Sequence, residues 1–118
     1  MVAALICAPL AAHAEKSNTV CEGAVDTAYK FVENAFKARP EIAYSPVRTE
    51  TETQLLNLAC MNGFNHGVRH DISEMDMMYQ QLRNRVSKKG MSVEEARYLV
   101  GDMAMLLAYK AGYIAGVK

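Results

Sequence analysis

The chain has 118 residues, 51% of them apolar, with 13 Lys and Arg set against 13 Asp and Glu. That length holds one domain, and the even charge balance argues against nucleic acid or an anionic membrane surface as a partner. No P-loop, dinucleotide fingerprint or nucleophile elbow occurs in it, so the chain does not read as an enzyme, and no cofactor is expected.

Residues Val2 to Ala12 form an uncharged apolar run that leads into Ala12-His13-Ala14, a small-x-small pattern suited to signal peptidase. Residues 1–14 are therefore expected to be a secretory signal peptide, and residues 15–118 a single helical domain, periplasmic or secreted. The basic n-region that precedes such runs is missing, which points to a start upstream of Met1. About a dozen apolar residues are too few to span a bilayer, so no stable membrane insertion is expected after cleavage. The alternative is a retained anchor.

Removal of that segment takes Cys7 with it and leaves Cys21 and Cys60. An even pair in an exported protein reads as one disulfide. Two free thiols are the alternative; C-x-x-C, the usual mark of a thiol oxidoreductase, is absent.

The periodicity is helical almost throughout. Helix one is expected from about Val20 to Lys37, with Thr19 and Glu22 as a capping box and Ala24, Val25, Ala28, Phe31, Val32, Ala35 and Phe36 as its stripe. Arg39-Pro40 ends it, because the residue before proline resists helix. Helix two runs from about Thr51 to His70 and is apolar nearly all round, the mark of a central helix. Helix three follows from an Asp71 cap, with Ile72, Met75, Tyr79, Leu82 and Val86 as its stripe. Lys88 and Lys89 suit its last turn, and Gly90 its end. Helix four starts at a Ser92 cap with Glu95 as box partner and runs to about Gly116. The expected fold is all-α: a small antiparallel four-helix bundle with one disulfide, Cys21–Cys60.

The segment "CMNGFNHGVRH", Cys60 to His70, carries the densest chemistry. On a wheel at about 100° per residue, Cys60, Gly63, Phe64 and Gly67 share one face, with Ala59 one turn before. Glycine inside a helix costs about 1 kcal/mol against alanine, so two of them need a reason. Helix four carries a matching ridge of Gly101, Ala104, Ala108, Ala111, Gly112 and Ala115. Close packing of Ala59, Gly63 and Gly67 against Ala104, Ala108 and Gly112 is the expectation; an open groove for a ligand or partner is the alternative.

His66 and His70 stand at i and i+4, the spacing at which two imidazoles can chelate one metal. Asp71, Glu74 and Asp76 could add oxygen ligands, and Met75, Met77 and Met78 thioethers suited to copper(I). Gly67 stands where the zinc-protease glutamate would be. Boundary histidines with water or backbone partners, or a pH sensor, are the other readings.

Arg97 falls on the apolar face of helix four and needs a partner there. Glu22, Asp26 and Asp71 are the candidate carboxylates, unless its head reaches solvent. The connection "YSPVR" holds Tyr44, Pro46, Val47 and Arg48, a composition that interface anchors favour. With Arg97 these are the candidate partner-binding residues; a plain connector is the alternative.

The stretch "LACMNGFNHGV" resembles the small exported all-helical immunity proteins of bacterial secretion-system toxins, which carry a helix with Cys followed by aromatic and Gly. Cys21-Glu22 and "LLNLAC" resemble the periplasmic acid-stress chaperones, small helical proteins stapled by one long-range disulfide. The first resemblance implies recognition of another protein, and the second implies acid-driven opening that exposes apolar surface. The expected function is thus a small exported helical binding protein, such as an inhibitor, an immunity protein or an accessory protein of a cell-envelope process. The alternative is a periplasmic stress chaperone or a copper- or zinc-handling protein.

Overall fold

The computed structural model describes residues 2–44, 48–87 and 89–118, with the backbone alone for residues 2–14. Among the described residues the regular elements are α1 (Val2–Ala38), a 3₁₀ turn (Pro40–Ile42), α2 (Glu50–Val68), α3 (Ser73–Val86) and α4 (Val93–Val117). They form an all-helical bundle with no strands, and a Cys21–Cys60 disulfide joins α1 to α2.

Helix α1 does not begin at a Thr19 cap. Thr19 lies inside it, and its hydroxyl donates back to the Glu15 carbonyl at 3.0 Å. That i−4 bond is what a threonine makes within a helix, so the box with Glu22 does not form. Helix α2 is capped by Thr49, whose side chain accepts from the Glu52 N–H. It ends at Val68, two residues short of the expected His70. His70 takes a left-handed backbone at φ 53°. Its N–H donates to the Gly67 carbonyl, and the Asp71 N–H to His66, each at 2.9 Å. This is a Schellman stop with histidine in the usual glycine seat.

Asp71 serves both ends of the turn, its N–H closing α2 and its carboxylate reaching the first turn of α3 from one residue before the cap position. The cap is Ile72, with no side-chain bond. The Asp71 carboxylate accepts from the Ser73 N–H and hydroxyl, which hold its carboxyl below the usual range. Helix α4 starts as its sequence indicates, with the Ser92 hydroxyl accepting from the Glu95 N–H at 3.0 Å.

Helices α1 and α2 run antiparallel. The disulfide joins them at one level, and at another the Tyr29 hydroxyl meets the Thr53 hydroxyl at 2.8 Å and the Thr49 carbonyl at 3.1 Å. Helices α2 and α4 run parallel, their partners rising together along both. Here the bundle is tightest. A methyl placed on Gly63 would lie 2.0 Å from the Tyr109 carbonyl oxygen, and one on Gly67 2.2 Å from that of Tyr113. In return, a methyl on Gly112 would lie 1.9 Å from the Cys60 oxygen, and one on Gly116 2.2 Å from that of Phe64. Each glycine Cα–H therefore points at a carbonyl of the facing helix. Ala59, Ala104 and Ala108 are buried in the adjoining core.

Two details depart from the expected packing. Gly101, placed on the α4 ridge by its spacing, touches nothing within 4 Å of where its Cβ would be. Helix α2 is not apolar-buried all round: Leu55, Leu58 and Val68 stand at the surface. The reason is the bundle's layout. Helix α3 packs closely along α4, touching α2 through Glu74 and His66, and leaves the outer side of α2 uncovered.

Candidate partner-binding surface

The connection between α1 and α2 is clamped onto the bundle from within. Ile42 is buried, and its carbonyl accepts from the Arg97 Nε at 2.7 Å. The Arg97 guanidinium stands 5.8 Å from the centre of the Tyr44 ring. Tyr44 sets its ring edge-on to Phe36 at 5.1 Å, and its hydroxyl donates to Glu52 at 3.0 Å. Burial, then the Glu52 carboxylate, push the Tyr44 phenol up to about 12. Arg48 pairs with Asp26 at 2.5 Å and lies 4.6 Å over the Tyr29 ring.

Tyr44, Arg48 and Arg97 are thus gathered at one end of the bundle, while Pro46 and Val47 lie outside the described residues. Arg97 does not meet the carboxylate expected for it. A carbonyl and an aromatic face satisfy it, and Asp26, one of its three candidates, is taken by Arg48. A carbonyl suffices because the guanidinium remains only partly buried.

Beside this clamp a groove of about 420 Å³ opens between α1, α2 and α4. Val32, Leu56 and Ala104 form its floor. Its mouth carries Leu55, 48% exposed, and Tyr98, 62% exposed. Gly101 lines it without touching a neighbour, so the missing side chain is part of the opening. Leu55, Tyr98 and Gly101 were not singled out as surface by sequence reasoning. Spacing gave no signal for Gly101: it stands eleven residues, about three turns, before Gly112 and so on the same side of the helix.

The histidines are divided by the end of α2. His66 remains on the helix, where its Nδ1 contacts the Tyr109 hydroxyl and lies 3.2 Å from a Glu74 oxygen. His70 lies past the helix end with a left-handed backbone, so the i, i+4 geometry that chelation requires is not formed. Among the described residues no three His, Cys, Asp or Glu side chains converge as a metal site. Asp71 serves the turn, and Met75 is core.

Tyr109 is 2% exposed, and burial, with Glu74 and Asp71 nearby, pushes its phenol up to about 12. An unfolded tyrosine ionises near 10. The fold therefore favours the neutral phenols of Tyr44 and Tyr109. Stability is expected to hold below about pH 10 and to fall as pH rises towards about 12. Urea unfolding at pH 9 and pH 11.5 checks this, and Tyr109→Phe should flatten the decline.

Comparison of the chain with known protein families, with curated proteins and with solved structures finds no match.

Proposed function

We propose that this is a small exported binding protein that acts by protein–protein contact, as an inhibitor, immunity protein or accessory protein of a cell-envelope process. Residues 1–14 are its signal peptide, removed on export to the periplasm or medium. The partner is another protein of that compartment. No helix among the described residues is long and apolar enough to cross a membrane.

The observation that carries this reading is Gly101. A glycine inside a helix costs about 1 kcal/mol, and here packing returns none of it. What the glycine leaves is a groove with an apolar floor, an exposed tyrosine at its mouth and Arg97 at its edge. Tyrosine and arginine around a desolvated pocket is the usual make-up of an interface anchor. The clamp of Ile42, Tyr44 and Arg97 holds the surface in place before any partner arrives, which lowers the ordering cost of binding.

Native mass spectrometry of the protein purified from its own exported compartment is the test. A second polypeptide at fixed stoichiometry is expected. Tyr98→Ala should weaken that complex by about 2 kcal/mol or more, roughly 30-fold. Gly101→Ala should raise fold stability by about 0.5–1 kcal/mol while weakening the complex, since its methyl enters the groove. Unchanged binding in both variants would remove the groove from the reading. Copurified copper or zinc lost in His66→Ala, or client binding seen only at acid pH, would replace it with the metal-handling or chaperone alternative.

A further inference from the structure

A second concavity, of about 460 Å³, opens on another face between α1, α3 and α4, and shares no residue with the first. Its wall is apolar: Phe31 of α1, Tyr79 and Leu82 of α3, and Met103, Leu106 and Leu107 of α4. It exists because α3 packs along α4 and stands off α1. The stripe expected to face the core is only half covered, and Val86 at its end is 59% exposed.

Two cations stand on this apolar wall, Arg83 from α3 and Lys110 from α4. Among the described residues neither belongs to an ion pair, and Lys110 has only the Tyr79 ring, 5.8 Å away. The contrast lies within one helix turn. Arg85 is paired with Asp102, whereas Arg83, two residues earlier, meets no carboxylate. A neutral chain thus sets an unbalanced positive pair beside a hydrocarbon surface.

We propose that this groove binds a single-chain anionic amphiphile, a fatty acid, with its tail along Leu82, Met103 and Leu107 and its carboxylate between Arg83 and Lys110. Charge complementarity selects the head and shape selects the tail. The walls from Tyr79 to Val86 and from Met103 to Lys110 each extend about 10 Å along their helices. Spread over that length, 460 Å³ leaves a cross-section of about 45 Å². An alkyl chain fits lengthwise within it, with the two cations beside it for a carboxylate. The volume also lies within the usual range of small-ligand pockets, about 300–1,000 Å³.

The test titrates the full exported chain with octanoate, decanoate and decyl glucoside, each below its micelle concentration. It reads methyl chemical shifts and heats of binding. Decanoate is expected to bind saturably and to shift Leu82, Met103 and Leu107. It should bind about fifteenfold tighter than octanoate, at roughly fourfold per added methylene. The neutral glucoside should bind at least tenfold more weakly. The double variant Arg83→Glu/Lys110→Glu alters two exposed side chains and should keep the fold while losing decanoate by tenfold or more. Any of four results would overturn the proposal: no saturable shift, equal binding of the neutral head, shifts centred on Leu55 and Tyr98, or preference for an acidic helical peptide over decanoate.

Discussion

Gly63→Ala and Gly112→Ala are each expected to destabilise the fold by about 3 kcal/mol or more, although alanine is the better helix former. The added methyl would stand 2.0 Å from the Tyr109 carbonyl oxygen in the first case and 1.9 Å from the Cys60 oxygen in the second. No rotamer change relieves either contact, because both atoms are backbone. The helices must separate, and every neighbouring contact along the seam lengthens with them. Overpacking of this kind commonly costs about 1–3 kcal/mol, and a backbone obstacle puts it at the upper end or beyond. For a single domain of typical stability, about 5–15 kcal/mol, that is a large share. The melting temperature should fall by about 10 °C or more. Gly101→Ala is the internal control, since the same change in the same helix should stabilise. Urea midpoints at constant slope measure all three. A Gly63→Ala protein as stable as the parent would show that α2 and α4 do not meet as closely as described.

Loss of the disulfide should be comparably damaging. The bridge closes a loop of 39 residues between two cysteines that are wholly buried. Chain-entropy arithmetic for such a loop gives about 4 kcal/mol, and removing native disulfides from small domains typically costs about 2–5. The position adds to the effect. Cys60 bonds to α1 through its sulfur and presents its carbonyl to Gly112 of α4, so three helices meet at one residue. Full reduction, or the Cys21→Ala/Cys60→Ala pair, should lower the urea midpoint sharply. A loss under about 1 kcal/mol would mean that Tyr29, Thr49 and Thr53 hold α1 to α2 unaided.

The parts of the fold legible in the sequence were those with a long period or a parity. Helical stripes identify the four helices, and with Cys7 set aside in the expected signal segment, Cys21 and Cys60 leave one pairing. Glycines at i and i+4 are legible because such spacing makes a flat strip that another backbone can approach. Local punctuation was harder. Thr19 and Asp71 both look like caps, but a cap signal works only where the chain has reason to stop, and residues before Thr19 continue the helix. His70 ended α2 in a left-handed conformation uncommon for any residue but glycine, which no spacing announces. Of the candidate site, Tyr44, Arg48 and Arg97 were legible as residues, but the groove beside them was not. It depends on how far α2 and α4 lean together, and hence on which glycines are filled by a neighbour and which, like Gly101, are left open.

The parallel course of α2 and α4 has an electrostatic consequence. Two helices side by side in one direction align their dipoles, so about half a positive charge from each gathers at the same end. The first turns answer it: Glu50 and Glu52 in α2, Glu94 and Glu95 in α4. At the other end α3, antiparallel to α4, begins beside the two aligned C-termini and offers the opposite pole. At the Tyr44–Arg97 end the C-termini of α1 and α3, which run against α2 and α4, add their negative poles to those carboxylates. A protein docking at the groove would meet an apolar floor with Glu52 and Asp102 on its rim beside Arg97. Such a rim of mixed sign sets the orientation of a partner through charge complementarity, and that part of the recognition weakens as salt rises.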